Sequence, residues 1–321
     1  MDGRQPVSRR TFLAAATAGA MSNGQAESPA IPVLDTHIHL FDTTRPQGVP
    51  YPSKSNAALY QPALPDRLRR VAAPLGIVGA IAVEASPWLE DNLWLLETAQ
   101  RDTIMVGVIG NLDPTKPEFL EYLERFHRNP LFLGIRYGNL WGRNLAGDAA
   151  KPEVIAALRA LADAGLTLDT ANPRPDLIEG IVRLTDRVPN LRVVIDHLPQ
   201  MEPPAEEAAR RAHEASLREL AARPRVYVKI SEVVRRVNGQ VPLDLPFYRP
   251  RLDQLSEIFG EDRLLYGSDW PNSDNWTQYP EVLRLVREYF TGKGRAAAEK
   301  YFWKNSVAAY RWVKRAPNQP G

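Results

Sequence analysis

The chain contains no cysteine. Disulfides, thiolate metal sites and a cysteine nucleophile are therefore excluded. Charge of one sign is also missing. There are 40 Lys and Arg against 38 Asp and Glu, so no basic face argues for nucleic acid or an anionic membrane. No apolar run is long enough to span a bilayer. No glycine-rich phosphate loop follows any strand-like segment. Histidine is scarce, with five in 321 residues. Two of the five, His37 and His39, stand one residue apart in Val33-Leu34-Asp35-Thr36-His37-Ile38-His39-Leu40.

The N-terminus reads as a targeting segment. Ser8-Arg9-Arg10-Thr11-Phe12-Leu13 matches a twin-arginine export signal, followed by alanine-rich residues 14–20 and a small-residue cleavage pattern at Ala18-Gly19-Ala20. Residues 1–20 are thus expected to be a twin-arginine signal peptide and the mature protein to be periplasmic, without a membrane segment. The removed piece holds Arg4, Arg9 and Arg10 against Asp2, which leaves 37 basic and 37 acidic residues and a formal net charge of zero. Export in the folded state is compatible with a cofactor loaded beforehand. A homo-oligomer is compatible with the sequence, which names no interface for one.

Beyond the signal, short β-branched runs alternate with helical patterns. Strand candidates are residues 33–40, 79–85, 104–113, 132–137, 166–171, 192–198, 225–231 and 263–270, most of them continuous apolar runs as expected when both faces are covered. Residues 90–101, 118–128, 152–165, 175–188 and 206–222 carry helical spacing, several with proline near the start and glycine after the end. Eight β-α repeats predict an α/β fold, a (β/α)8 TIM barrel over residues 31–315 with C-terminal closing helices within 292–313. A doubly wound open sheet is the alternative. Residues 43–65, rich in Pro, Ser and Tyr, are long for a βα loop and are expected to lie over the barrel mouth.

Strand periodicity puts Asp35, His37 and His39 on one face. Two imidazoles on a rigid strand can bind a metal, or polarise a carbonyl and hold a water. Barrel active sites lie at the carboxyl ends of strands. Reading those ends gives Glu84, Asp113, Arg136, Asp169, Asp196-His197, Lys229 and Asp269, a nearly complete polar ring. Trp88, Trp141, Trp270 and Trp276 sit in or beside the loops there, where aromatic walls suit ring stacking. His127 and His213 fall in helical stretches and are expected to face solvent, away from the mouth.

Asp35-Thr36-His37-Ile38-His39, Ile195-Asp196-His197-Leu198-Pro199 and Tyr266-Gly267-Ser268-Asp269-Trp270-Pro271 resemble the amidohydrolase superfamily. More narrowly the chain resembles the amidohydrolase-related branch that holds 2-pyrone-4,6-dicarboxylate lactonase and fuconolactonases, from about Pro32 to Tyr310. The resemblance implies hydrolysis of a carbonyl-centred bond, with His37, His39, His197 and Asp269 as the catalytic set. It implies Asp269 as the base that activates water and returns the proton to the leaving oxygen. Arg136 and Lys229 would anchor substrate carboxylate or hydroxyls, with Glu84, Asp169, Trp88 and Trp270 as further substrate contacts. The binuclear pattern of the superfamily is thinned here: no second late histidine, and Arg136 where a bridging Lys or Glu often stands. The expectation is either no cofactor or a single divalent metal, Zn²⁺ by preference, on His37, His39 and Asp269. The expected substrate is a sugar-acid lactone or a small carboxylated lactone. A metal-dependent decarboxylase of the same superfamily and a non-catalytic binding protein are the rival readings.

Overall fold

The structure is a computed structural model that describes residues 1–3 and 30–321. The twin-arginine motif and the alanine-rich stretch after it lie outside the described residues. Residues 31–321 form one compact unit.

Eight strands run in parallel, each hydrogen-bonded to the next in sequence order. They are β1 (Val33–Ile38), β2 (Ile77–Val83), β3 (Met105–Gly110), β4 (Phe132–Arg136), β5 (Thr167–Thr170), β6 (Arg192–Ile195), β7 (Val226–Ile230) and β8 (Leu264–Tyr266). Between and after them come α1 (Pro65–Ala72), α2 (Asp91–Arg101), α3 (Phe119–Phe126), α4 (Leu145–Asp148), α5 (Pro152–Asp163), α6 (Pro175–Arg187), α7 (Glu207–Ala221), α8 (Leu245–Phe259), α9 (Tyr279–Gly292), α10 (Arg295–Glu299) and α11 (Asn305–Tyr310), the last two joined by a π-helical turn, Lys300–Lys304. Beyond β8 the first and last strands meet through a bridge between Ile38 and Trp270. His39 N–H donates to Trp270 O at 2.7 Å and Asp269 N–H to His37 O at 2.9 Å. The result is a (β/α)8 barrel, and the sequential strand order excludes the doubly wound alternative.

The helices form for recognisable reasons. Proline occupies the first turn of α1, α5, α6, α8 and α9, where its missing N–H costs nothing. Glu206 caps α7 by accepting from Ala208 N and Ala209 N. Each long helix buries one stripe, as α6 does with Leu177, Ile178, Ile181, Leu184 and Thr185. Inside the barrel, Leu34, Val83, Val106, Leu133, Val194 and Leu265 form an apolar layer, closed from below by Ala309, Tyr310 and Trp312. The polar residues stack above that layer.

Two expectations are corrected by the packing. Asp35 does not share a face with His37 and His39. Leu34 points into the barrel, whereas both Val33 and Ile38 pack outward, so the inside–outside alternation breaks between them. The pairing with β2 shifts register between Asp35 and Ile38, and a bulge of this kind reverses facing. Asp35 therefore turns behind the strand, where it accepts from Tyr279 Oη at 2.7 Å and Ser268 N at 3.0 Å. His213 is buried, not solvent-facing, because it continues the inward stripe of Leu217, Leu220 and Ala221 on α7. His127, half-buried on the outer layer, stays clear of the mouth as expected.

Candidate active site

Four side chains expected to act together do meet at the carboxyl end of the barrel. His37 comes from β1, His39 from just after it, His197 from just after β6, and Asp269 from just after β8. Asp269 Oδ1 lies 3.2 Å from His39 Nε2, 3.5 Å from His37 Nε2 and 4.0 Å from His197 Nε2. The two β1 histidines face each other Nε2 to Nε2 at 3.3 Å. All four groups are almost wholly buried.

Burial sets the charge states. It pushes the imidazolium forms of His37 and His197 well below their usual range, with Lys229 and the neighbouring imidazoles adding to the effect. His39 falls to about 4, through burial and then the Arg136 guanidinium. At neutral pH the rings are thus neutral, and their contacts with Asp269 are not ion pairs. Burial raises the Asp269 carboxyl to about 7, although a hydrogen bond with Glu232 and the charge of Arg136 pull the other way. Glu232 itself is raised well above the carboxylate range by burial and by Asp269.

Around this centre lies a cavity of about 150 Å³, lined by Tyr51, Leu140, Trp141, Asn172, Gln200 and Asn272 with His39, Arg136, His197 and Glu232. Its backbone is unusual. Trp141 (φ 59°), Asn172 (52°), His197 (54°), Glu232 (49°) and Asp269 (58°) all adopt the left-handed conformation. Each such residue costs of order 1–3 kcal/mol, and such strain concentrates at functional sites. The segment 43–65 does lie at the mouth. Tyr51 Oη donates to Asn272 Oδ1 at 2.6 Å, and Asn272 Nδ2 in turn reaches Asp269 Oδ1 at 3.2 Å.

The expected substrate anchors divide into two groups. Arg136 reaches the cavity, but its guanidinium is engaged: Nε donates to Glu84 Oε1 at 2.8 Å and a terminal nitrogen to Glu84 O at 2.9 Å. Glu84 also accepts from Trp141 Nε1, at 3.0 Å to Oε2. Lys229 and Asp169 sit below the cavity wall, fully buried and 2.7 Å apart. Burial raises Asp169 to about 6 against the pull of Lys229. Trp88 lines a small neighbouring hollow with Arg45 and Ser86. Trp270 is buried behind the mouth, under the guanidinium of Arg67 at 5.2 Å. Asp113 lies in a separate hollow with Lys116 and Arg143.

Five polar cavity residues were not singled out by the strand-end reading: Glu232, Tyr51, Asn172, Gln200 and Asn272. Glu232 follows Ser231 directly, one position beyond the strand-seven end that was read. Asn172 stands two positions beyond Thr170, the end of β5.

The donor set fits a divalent cation. His37 Nε2, His39 Nε2 and Asp269 Oδ1 are mutually 3.2–3.5 Å apart, the spacing of neighbouring ligands around a tetrahedral ion with bonds of about 2.0–2.1 Å. Asp269 Oδ2 is buried without a hydrogen-bond partner. Five carboxylates (Glu84, Asp169, Asp196, Glu232 and Asp269) face only two fixed cations, Arg136 and Lys229, an imbalance that a cation would relieve.

The model of the amidohydrolase family matches residues 34–312. The chain belongs to that family. This amidohydrolase is accordingly a hydrolase. It is 30% identical over 242 residues to an L-fucono-1,5-lactonase of Burkholderia ambifaria, covering 75% of this chain and 80% of the relative. To a 4-sulfomuconolactone hydrolase of Rhizobium radiobacter it is 27% identical over 243 residues, covering 74% and 75%. Among solved structures, an amidohydrolase of Burkholderia multivorans with bound zinc superposes with a TM-score of 0.76 at 23% identity, covering 88% of this chain and all of that one. No helix among the described residues is long and apolar enough to cross a membrane.

Proposed function

We propose that this amidohydrolase opens the ring of a neutral polyhydroxylated lactone by water that Asp269 deprotonates. The carrying observation is the convergence of one raised, buried carboxyl with three neutral imidazoles, two of which, His39 and His197, line the cavity at the barrel mouth. Water attacks the ring carbonyl carbon while Asp269 takes its proton. An N–H at His197 Nε2, on a ring that lines the cavity, stabilises the developing oxyanion. The ring C–O bond then breaks, and the proton held on Asp269 passes to the departing alkoxide, giving a hydroxy acid. A single divalent cation on His37, His39 and Asp269, zinc by its liking for imidazole and carboxylate, would polarise the carbonyl when bound.

The cavity wall favours a neutral substrate over a carboxylated one. Glu84 holds Nε and one terminal nitrogen of Arg136, and the remaining lining offers amides, a phenol, an indole and Glu232. These groups suit hydroxyls, and the sugar lactonase among the relatives points the same way. The test is a pH-indicator assay on a panel of lactones. Acid release from neutral sugar 1,5-lactones is the expected result. CO₂ release from carboxylated phenols without acid release from any lactone overturns the reading in favour of a decarboxylase.

The same assay gives a pH profile. Asp269 must be ionised to accept a proton, and its carboxyl titrates near 7. Therefore kcat/KM should fall as pH drops through about 7 and level off above it. Added zinc should move the inflection to lower pH, since a cation favours the carboxylate, and a chelator should return it.

We also propose that the first twenty residues direct twin-arginine export to the periplasm, on the strength of Arg9-Arg10 and the small residues that follow. Substituting both arginines by lysine should retain the protein, uncleaved, in the cytoplasm. Normal appearance in the periplasm would refute the assignment.

A further inference from the structure

His197 and Gln200 both line the cavity, and both belong to the short turn that follows β6, with His197 capping the 3₁₀ segment Leu198–Gln200. His197 holds the left-handed conformation, φ 54°, which is strained for a residue with a Cβ and persists only where the surroundings over-determine it. Ser231 Oγ, 2.8 Å from Nδ1, anchors one edge of the ring but not the backbone beneath it. Within the turn, Gln200 N–H donates to His197 O at 2.9 Å and Met201 N–H to Leu198 O at 3.2 Å. Bonds of this 3₁₀ kind are poorly aligned and hold a short turn weakly on their own.

Two guanidiniums supply the rest. Arg251, on α8, donates from one terminal nitrogen to Leu198 O at 3.2 Å and Met201 O at 3.1 Å, and from the other to Gln254 Oε1 at 2.6 Å. Arg235, in the loop between β7 and α8, donates to Pro199 O at 2.9 Å and pairs through its second terminal nitrogen with Glu202 Oε1 at 3.1 Å. The carbonyls of Leu198, Pro199 and Met201 are thus all taken by arginine. Among the described residues the hydrogen-bond partners of Arg251 are all uncharged, whereas a guanidinium drawn out of water normally meets an acid. Burial and the charge of Arg235 pull Arg251 down to about 10, which leaves it charged at neutral pH. Hydrogen bonds from a charged donor are roughly twice as strong as neutral ones. Both arginines stand outside the cavity lining, so what they do for the site they do through this turn.

We propose that Arg251 and Arg235 are positioning residues that clamp the turn by its carbonyl groups and thereby hold the His197 ring, with Gln200 beside it, in register with Asp269. His197 Nε2 lies 4.0 Å from Asp269 Oδ1 in the clamped arrangement. The turn after β6 is in this way set from the next β-α unit of the barrel. The importance of that register for turnover rests on the proposed lactone opening; the clamp itself does not.

Arg235→Met and Arg251→Met test the clamp in two readouts. Amide hydrogen exchange at the buried Met201 should quicken by about 10-fold or more and the His197 ring resonances should move, while exchange in the barrel strands stays as it was. On the best lactone of the panel, kcat should fall by about 10-fold or more with KM altered much less, since a small misplacement of a working group can cost about 10²-fold. Arg251→Lys, which can still donate to both carbonyls, should recover part of the protection and of kcat. Full kcat in a variant whose turn exchanges faster overturns the proposal. Unchanged exchange with unmoved His197 resonances in Arg235→Met does so too, and so does a fall in kcat that comes with faster exchange throughout the barrel. Should Arg251→Met fail to fold, Arg235→Met decides alone, since its side chain is 28% exposed. A wild-type protein inactive on every lactone removes the assigned reaction instead, and the clamp then stands or falls on Met201 exchange and the His197 resonances.

Discussion

Asp269→Asn should lower kcat by at least about 10²-fold while leaving KM nearly unchanged, as expected when a general base is lost but the contacts to bound substrate survive. The substitution isolates the chemistry well. Asparagine has the same shape and is among the few residues at ease in the left-handed backbone that Asp269 adopts at φ 58°. Its amide oxygen can still take the hydrogen bond from Asn272 Nδ2. It cannot take a proton from water. The acid limb of the pH profile should vanish with it. Steady-state kinetics on the best lactone of the panel checks this. Near-full turnover would mean that the base is elsewhere, and Glu232 is the next group in line. Glu84 and Asp169 are not, because each is committed to a cation, Arg136 and Lys229 respectively.

Glu84→Ala carries the largest expected cost in stability, about 3–5 kcal/mol in chemical denaturation. Removing one partner of a buried ion pair leaves the other charge uncompensated, and that penalty dominates. Arg136 is 6% exposed, and its next carboxylate, Asp196, lies 3.9 Å away. Trp141 Nε1 and Ser86 N also lose the acceptor that Glu84 gives them. Glu84→Ala should at the same time free a guanidinium beside the cavity. Turnover of carboxylated lactones relative to neutral ones should therefore rise in whatever folded protein is recovered. A loss below about 1 kcal/mol would show that Asp196 already neutralises Arg136.

The barrel was legible because its strands are apolar on both sides and its helices are punctuated by proline. All eight strands fall within the segments read from sequence, give or take two residues at an end. The candidate set at the barrel mouth was legible because polar residues at the ends of apolar runs are conspicuous. What escaped was set by tertiary geometry. The bulge after Asp35 reverses its facing without any mark in the sequence. His213 looked idle because histidine is usually placed at surfaces, yet its spacing of four from Leu217 already put it on the inner stripe. Arg136 and Lys229 both read as substrate anchors at strand ends. Only the structure distinguishes a guanidinium tied by Glu84 from an ammonium sunk below the histidines. Tyr51 comes from a loop whose sequence says that it covers the mouth but not which residue points inward.

The meeting of the first and last strands sets a condition on the whole chain. His37 and His39 lie on one side of that seam and Asp269 on the other, tied by only a few backbone bonds. Residues 230 or more positions apart must therefore come together before the histidines meet that carboxylate. A folding intermediate with seven strands in place can have native helices and much of the native core and still lack the candidate catalytic centre. Turnover in this protein is thus a gauge of ring completion, sensitive to the last join that spectroscopic measures of helix content would pass over.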